Sequence, residues 1–166
     1  MPEAPTQTLV IDNGAYTIKA GFATPQAGLE DCLTVPNCIA RGRDRKVFVG
    51  SELDSCKDFG GMAFRRPVER VRFKFNFVLP LLLVMVNTNC LSGMITLKGY
   101  LVNWESEKEV WDRTFLDTAS KLACDPRKTV LILTEAPNAP STLQTNCDQI
   151  VFEEYEFSSY YRCIGS

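Results

Sequence analysis

Residues 9–22 read LVIDNGAYTIKAGF. An apolar run, Leu9, Val10 and Ile11, enters Asp12-Asn13-Gly14, and a second strand-like run leaves it. Asn-Gly between two such runs is among the strongest short hairpin signals, because both residues tolerate positive φ. The tip of that hairpin would present backbone N–H groups, the carboxylate of Asp12 and the amine of Lys19. Those are the parts that hold a phosphate and its metal ion. Taken alone, the stretch favours a plain hairpin over a phosphate loop.

Outward from the hairpin, residues 9–12, 16–23 and 32–39 are predicted strands, with Gly28, Glu30 and Asp31 in the turn between the last two. Residues 41–70 change character, carrying charge, Gly60-Gly61 and Pro67 around one short strand-like run at 46–49. Asn103 is a good helix N-cap, and Glu105 and Glu107 lie in or near the first turn, where the helix dipole favours anions. Leu101, Trp104, Lys108, Trp111 and Phe115 then recur at three- and four-residue spacing, which puts both tryptophans on one core-facing stripe. Residues 129–134 predict a compact buried strand. Residues 140–152 predict a helix with Leu143, Cys147, Ile150 and Val151 inward and Pro140 near its first turn. The class is α/β.

The composition narrows the chemistry. A chain of 166 residues fits one domain with a real core. A net charge of −2 carries no general nucleic-acid signature. The local basic run Arg41-Gly42-Arg43-Asp44-Arg45-Lys46 is of a kind more often a solvated loop than a binding patch. Seven cysteines, at 32, 38, 56, 90, 124, 147 and 163, are odd in number and lack C-x-x-C spacing. That pattern argues for reduced thiols in the cytosol or nucleus, and against zinc or a disulfide framework. With no histidine in the chain, Ser-His and Cys-His catalysis and histidine-ligated metals are excluded within it. The N-terminus has Pro2, Glu3 and Pro5 and no apolar core, so it does not read as a secretory signal.

Three ordered phrases carry a family resemblance. The Asp12-Asn13-Gly14 turn leading to Lys19-Ala20-Gly21-Phe22 resembles the first phosphate loop of the actin family. Gly99-Tyr100-Leu101-Val102-Asn103-Trp104-Glu105, followed by Trp111-Asp112, resembles its helix beginning Asn-Trp. Leu131-Ile132-Leu133-Thr134-Glu135-Ala136-Pro137 resembles its Leu-Thr-Glu-Ala-Pro strand end. Finer wording, Val35-Pro36-Asn37-Cys38, GYLVNW at 99–104 and Phe152-Glu153-Glu154-Tyr155-Glu156-Phe157, is similar to the sixth class of actin-related proteins. That class is nuclear and belongs to a histone-exchange remodelling complex. The resemblance implies the N-terminal part only of an actin-like, ribonuclease-H-like fold. Residues 1–40 and 99–166 would form part of subdomain 1, and 41–70 a subdomain-2-like insertion.

Residues 71–98 do not belong to this pattern. In the family the Arg-Pro-x-Glu region runs almost directly into the glycine before the Asn-Trp helix. Here Arg66-Pro67-Val68-Glu69-Arg70 and Gly99 are separated by 28 residues. The apolar run 77–86 is 10 residues long with Pro80 inside, too short for a spanning helix, which needs about 20. Membrane attachment through 75–97 is therefore the weaker reading. A translated intron is the stronger one. Val71 permits a GT start, Lys98 an AG end and Thr88-Asn89 a fungal branch-site sequence, and 28 codons keep the frame. A lineage-specific insertion and a buried apolar hairpin are the alternatives. As protein, the segment would expose Phe73, Phe75, Phe77 and Leu81 to Leu83, an apolar patch that predicts aggregation or an obligate interface.

The resemblance implies ATP and a divalent metal for a full-length relative, with Asp12, Asn13, Gly14 and Lys19 as the phosphate-loop residues. The loop reads as vestigial. Ala15 stands where actin has a phosphate-contacting serine. Tyr16 stands where it has glycine, adding bulk where backbone should approach a ligand. The position of actin's water-orienting glutamine falls on Gly165. The second phosphate loop and the adenosine-contacting segments of the family are not among these residues. The expectation is therefore no catalytic residues, no metal, no cofactor in this portion and no ATPase activity. The implied role is a non-catalytic scaffold subunit of an ATP-dependent remodeller that exchanges a histone variant into nucleosomes. Its partners would be the other subunits and, indirectly, the nucleosome, in the nucleus and also the cytoplasm, with no membrane. The rival reading is an actin-superfamily ATPase in which Asp12 positions metal-bound water and Lys19 contacts phosphate. In isolation, these residues are expected to be poorly soluble, because sheet edges and apolar faces would lack cover.

Overall fold

The computed structural model describes residues 7–57, 59–68, 71–74, 94–97 and 100–165. Expectations that fall on Pro2, Glu3, Pro5, Arg70, Gly99 and the apolar run 77–86 lie outside them. The elements follow in chain order: β1 (Gln7–Asn13), β2 (Thr17–Phe22), β3 (Leu33–Pro36), β4 (Ile39–Arg41), β5 (Val47–Val49), β6 (Ala63–Arg65), β7 (Val71–Lys74) and β8 (Met94–Leu97). Then come α1 (Trp104–Trp111), β9 (Thr129–Glu135), α2 (Ser141–Gln149) and β10 (Ser159–Ile164).

The main sheet has five strands in the order β10-β9-β1-β2-β3. β1 and β2 form the expected hairpin, and β3 adds antiparallel to β2. β9 lies parallel to both β1 and β10. Parallel neighbours need a crossover. α2 supplies one between β9 and β10, and α1 lies on the long path from the hairpin to β9. The sheet is mixed and the class α/β, as read from the sequence.

Alternation decides which face is the core. Leu9, Ile11, Ile18, Leu131 and Thr129 are wholly buried, while Val10 and Asp12 point to the other, more open face. Val110, Trp111 and Phe115 of the first helical segment and Cys147 and Val151 of the second cover the buried face. Each fully buried Leu, Ile or Phe contributes roughly 1.5–3 kcal/mol. Asn103 caps α1 by accepting from the Ser106 N–H at 3.1 Å. The Trp104 and Trp111 rings meet edge to face at 5.8 Å. α1 ends in a wide turn, Asp112–Leu116, and α2 in another, Ile150–Glu154, each closed by an amide bonding back five residues.

Three features differ from expectation. The stripe on α1 runs through Glu107, which is wholly buried, and not through Lys108, which turns outward to pair with Glu154. The predicted strand 32–39 breaks at Asn37 and Cys38: the Asn37 N–H still donates in register to the Tyr16 carbonyl at 2.9 Å, and the chain beyond it pairs elsewhere. Its far end, β4, belongs to a second sheet of order β5-β4-β6 with its own small core of Cys38, Ala40 and Leu53. Asn13 and Gly14 do not take positive φ. Gly14 is required by crowding instead, since a Cβ there would sit 2.6 Å from the Thr17 carbonyl oxygen.

The ends of the odd segment, β7 and β8, pair antiparallel. Its flanks also meet. Val68 and Leu101 form a β-bridge, and the Val102 and Asn103 N–H groups both reach the Pro67 carbonyl, at 3.4 and 3.1 Å. The residues flanking the segment are therefore held side by side at Val68 and Leu101. Among the described residues, no helix is long and apolar enough to cross a membrane.

Candidate phosphate-loop hairpin and its buried support

The register of the main sheet aligns one row of polar side chains. Lys19 opposes Asp12, Asp12 opposes Thr134, and Thr134 opposes Cys163. The row lies toward the carboxyl ends of β1, β9 and β10, where open α/β sheets place their ligands. Within it Asp12 is already occupied. The Thr134 hydroxyl donates to Asp12 Oδ1 at 2.6 Å, and Lys19 Nζ stands 3.4 Å from Oδ2. Both members of the ion pair are about half exposed, so the pair contributes only about 0–1 kcal/mol. Gly165 lies against Thr134, and its N–H donates to the Glu135 carbonyl at 2.9 Å. It brings no side chain to the row.

At the tip of the hairpin, Gly14 turns its polar groups inward. The Gly14 N–H, expected to face a ligand, is directed at the Thr17 and Asp12 carbonyls, each at 3.1 Å. The Gly14 carbonyl accepts from Asn37 Nδ2 at 3.0 Å. Tyr16 stands out from the tip, 63% exposed, and the Arg66 guanidinium stacks on its ring 4.1 Å from the centroid. A phosphate and its metal do not fit this arrangement. The Gly14 N–H is used, Ala15 has no hydroxyl, and an aromatic–guanidinium pair stands at the tip. Among the described residues, no group of three or more Cys, Asp or Glu side chains could hold a metal ion.

Asn13 faces the opposite way from Asp12, into the core, where a polar cluster supports the hairpin from beneath. Asn37 Nδ2 also reaches the Glu107 carboxyl, 3.2 Å from Oε2. Trp111 Nε1 donates to Glu107 Oε1 at 2.9 Å. Burial pushes the Glu107 carboxyl up to about 7, against the opposing pull of hydrogen bonds from Asn13, Asn37 and Trp111. The amide oxygens of Asn13 and Asn37 and the indole N–H of Trp104 are buried with no hydrogen-bond partner. Asn13 and Trp104 line a common cavity of about 50 Å³, together with Thr134, Leu143, Cys147 and Tyr160.

The structure thus brings Asp12, Asn13, Gly14 and Lys19 to one hairpin but splits them between two faces. Thr134, Asn37 and Glu107 escaped the sequence reading as site residues. A signal for Glu107 was present: it lies three residues after Trp104 and four before Trp111, on the tryptophan stripe.

The family model described as Actin matches residues 3–73 and 85–165. Actin-related protein 6 of Neurospora crassa is 50% identical over 164 residues, covering 99% of this chain and 30% of its own length. Actin-like protein arp6 of Aspergillus fumigatus is 40% identical over 174 residues, covering 97% of this chain and 31% of its own. Actin-related protein 6 of Dictyostelium discoideum is 30% identical over 161 residues, covering 96% and 26%. The chain therefore spans about 30% of the length of these relatives.

Proposed function

This chain belongs to the actin family, and from that premise we propose that the protein containing it is a non-catalytic scaffold subunit of an ATP-dependent chromatin-remodelling complex that exchanges a histone variant into nucleosomes. One observation carries the non-catalytic half of the reading. The hairpin that would cradle a phosphate has its Gly14 N–H bonded within the loop and Tyr16 stacked under Arg66 at its tip. The remodelling half is supported by the phrases VPNC, GYLVNW and FEEYEF and by similarity to proteins named actin-related protein 6. ATP turnover in such an assembly belongs to its motor subunit, and this protein acts by shape, in the nucleus and also the cytoplasm.

The test is recovery of a tagged full-length version from nuclear extract. Co-purification with the remodeller's motor and histone-variant-binding subunits is expected. Recovery as a lone protein, or with cytoskeletal filaments alone, would overturn the assignment. A second reading, an actin-superfamily ATPase, is favoured by the adjacency of Asp12 and Lys19. Phosphate release from ATP by the purified full-length protein would put it first.

A further inference from the structure

Asn13 and Trp104 line one cavity of about 50 Å³, set between the carboxyl ends of β1 and β9 and the helices α1 and α2. Each brings to it a polar atom that is buried and has no partner among the described residues: Asn13 Oδ1, an acceptor, and Trp104 Nε1, a donor. The orientation of the Asn13 amide follows from its other neighbour. The Glu107 carboxyl takes hydrogen bonds from Asn13, Asn37 and Trp111, so Asn13 serves it with Nδ2 and the atom left over is Oδ1. Turning the amide over would set that oxygen against the carboxyl oxygens. Trp104 has a single polar atom, and its ring meets Trp111 edge to face at 5.8 Å.

The two orphaned atoms define what the cavity can take. A cation would suit the amide oxygen and be repelled by the indole N–H, and an anion the reverse. The guest is therefore neutral, with both a donor and an acceptor. Sites for drug-sized ligands run to about 300–1,000 Å³, far more than is present here. A water occupies about 30 Å³ and needs roughly two to four polar partners. The space admits one or two waters, and the Cys147–Tyr160 pair, 3.4 Å apart, adds polar atoms to the same lining. Buried polar groups left without a partner are costly, and polar cavities of this size fill with water where apolar ones stay dry.

We propose that this cavity is a binding site for water, in which one or two ordered molecules accept from the Trp104 indole N–H and donate to Asn13 Oδ1, tying the β1–β2 hairpin to the first turn of α1. Asn13, expected at a phosphate, is then a ligand of interior water. This role is independent of the scaffold assignment.

The test uses the full-length protein with ¹⁵N-labelled tryptophan, where the indole resonance lost on Trp104→Phe is that of Trp104. A cross-peak from that indole proton to the water frequency is expected, with the proton protected from solvent exchange. Asn13→Leu, close in size and without the acceptor, should abolish the cross-peak. A structure of the native full-length protein that shows ordered solvent gives the second readout. Water is expected within roughly 2.7–3.2 Å of Asn13 Oδ1 and of Trp104 Nε1, shared or linked by a second water. The proposal is overturned if either atom bonds instead to a protein group from outside residues 1–166, if the indole N–H points into the Trp111 ring, or if the cavity holds no solvent density. Persistence of the cross-peak in a folded Asn13→Leu also overturns it. Should that variant not fold, the solvent density of the native protein decides alone.

Discussion

Asn37 ties the hairpin to α1 through one side-chain amide, and its truncation should be felt well beyond its size. Its Nδ2 serves the Gly14 carbonyl at 3.0 Å and the Glu107 carboxyl at 3.2 Å, and the residue is wholly buried. Asn37→Ala leaves both acceptors short of a donor. Each orphaned buried acceptor costs about 1–3 kcal/mol, while removing the unpartnered Asn37 Oδ1 returns a part of that at the low end of the same range. The expected net loss is about 1–5 kcal/mol, a substantial fraction of the roughly 5–15 kcal/mol that stabilises a typical domain. Urea unfolding of the full-length protein, followed by tryptophan fluorescence, measures it, with the midpoint falling and the slope unchanged. Asn37→Asp should cost more than Asn37→Ala, because it sets a second carboxyl against Glu107. A loss below about 1 kcal/mol for Asn37→Ala, or Asp better tolerated than Ala, would refute that tie.

Three further outcomes follow from the same geometry. Leu131→Ala, on the interior strand β9 with no exposure, should cost about 2–5 kcal/mol by urea unfolding. Glu107 is an acid whose folded value, about 7, lies above its unfolded 4.5. The fold therefore holds the extra proton between those values, and stability from this group is full below 4.5, falls as pH rises through 7 and is flat above. The loss approaches 1.4 kcal/mol per pH unit and totals on the order of 3 kcal/mol, seen as the difference in pH–stability profiles between the native protein and Glu107→Gln. Joining residue 70 directly to residue 99 should leave the unfolding midpoint unchanged or raised, since Val68 and Leu101 already meet. A loss of cooperative unfolding would show instead that 71–98 is a working part of the fold.

The hairpin was legible because its signals are local: Leu9 and Ile11 alternate into the core, and Asp12-Asn13-Gly14 breaks the run. The tryptophan stripe was equally plain, since three- and four-residue spacing needs no tertiary knowledge. What escaped was set by partners distant in the chain. Glu107 read as a dipole partner because first-turn acids usually are solvated. Its burial depends on amides 70 and more positions away. The break at Asn37 was invisible for the same reason, since the residues beyond it pair with β6, far along the chain. Gly14 carried the right residue for a different cause, a close carbonyl and not a left-handed turn. The clash of Tyr16 with a phosphate role was legible from its size, but its stacking on Arg66 came only with the fold.

Whether the hairpin has given up phosphate chemistry is decided by one measurement on the purified full-length protein: phosphate release from ATP with and without magnesium, paired with thermal stability in the same mixtures. The account predicts no release above buffer and no magnesium-dependent nucleotide stabilisation beyond that of magnesium alone. Magnesium-dependent stabilisation accompanied by steady phosphate release, lost on Asp12→Ala, would contradict it.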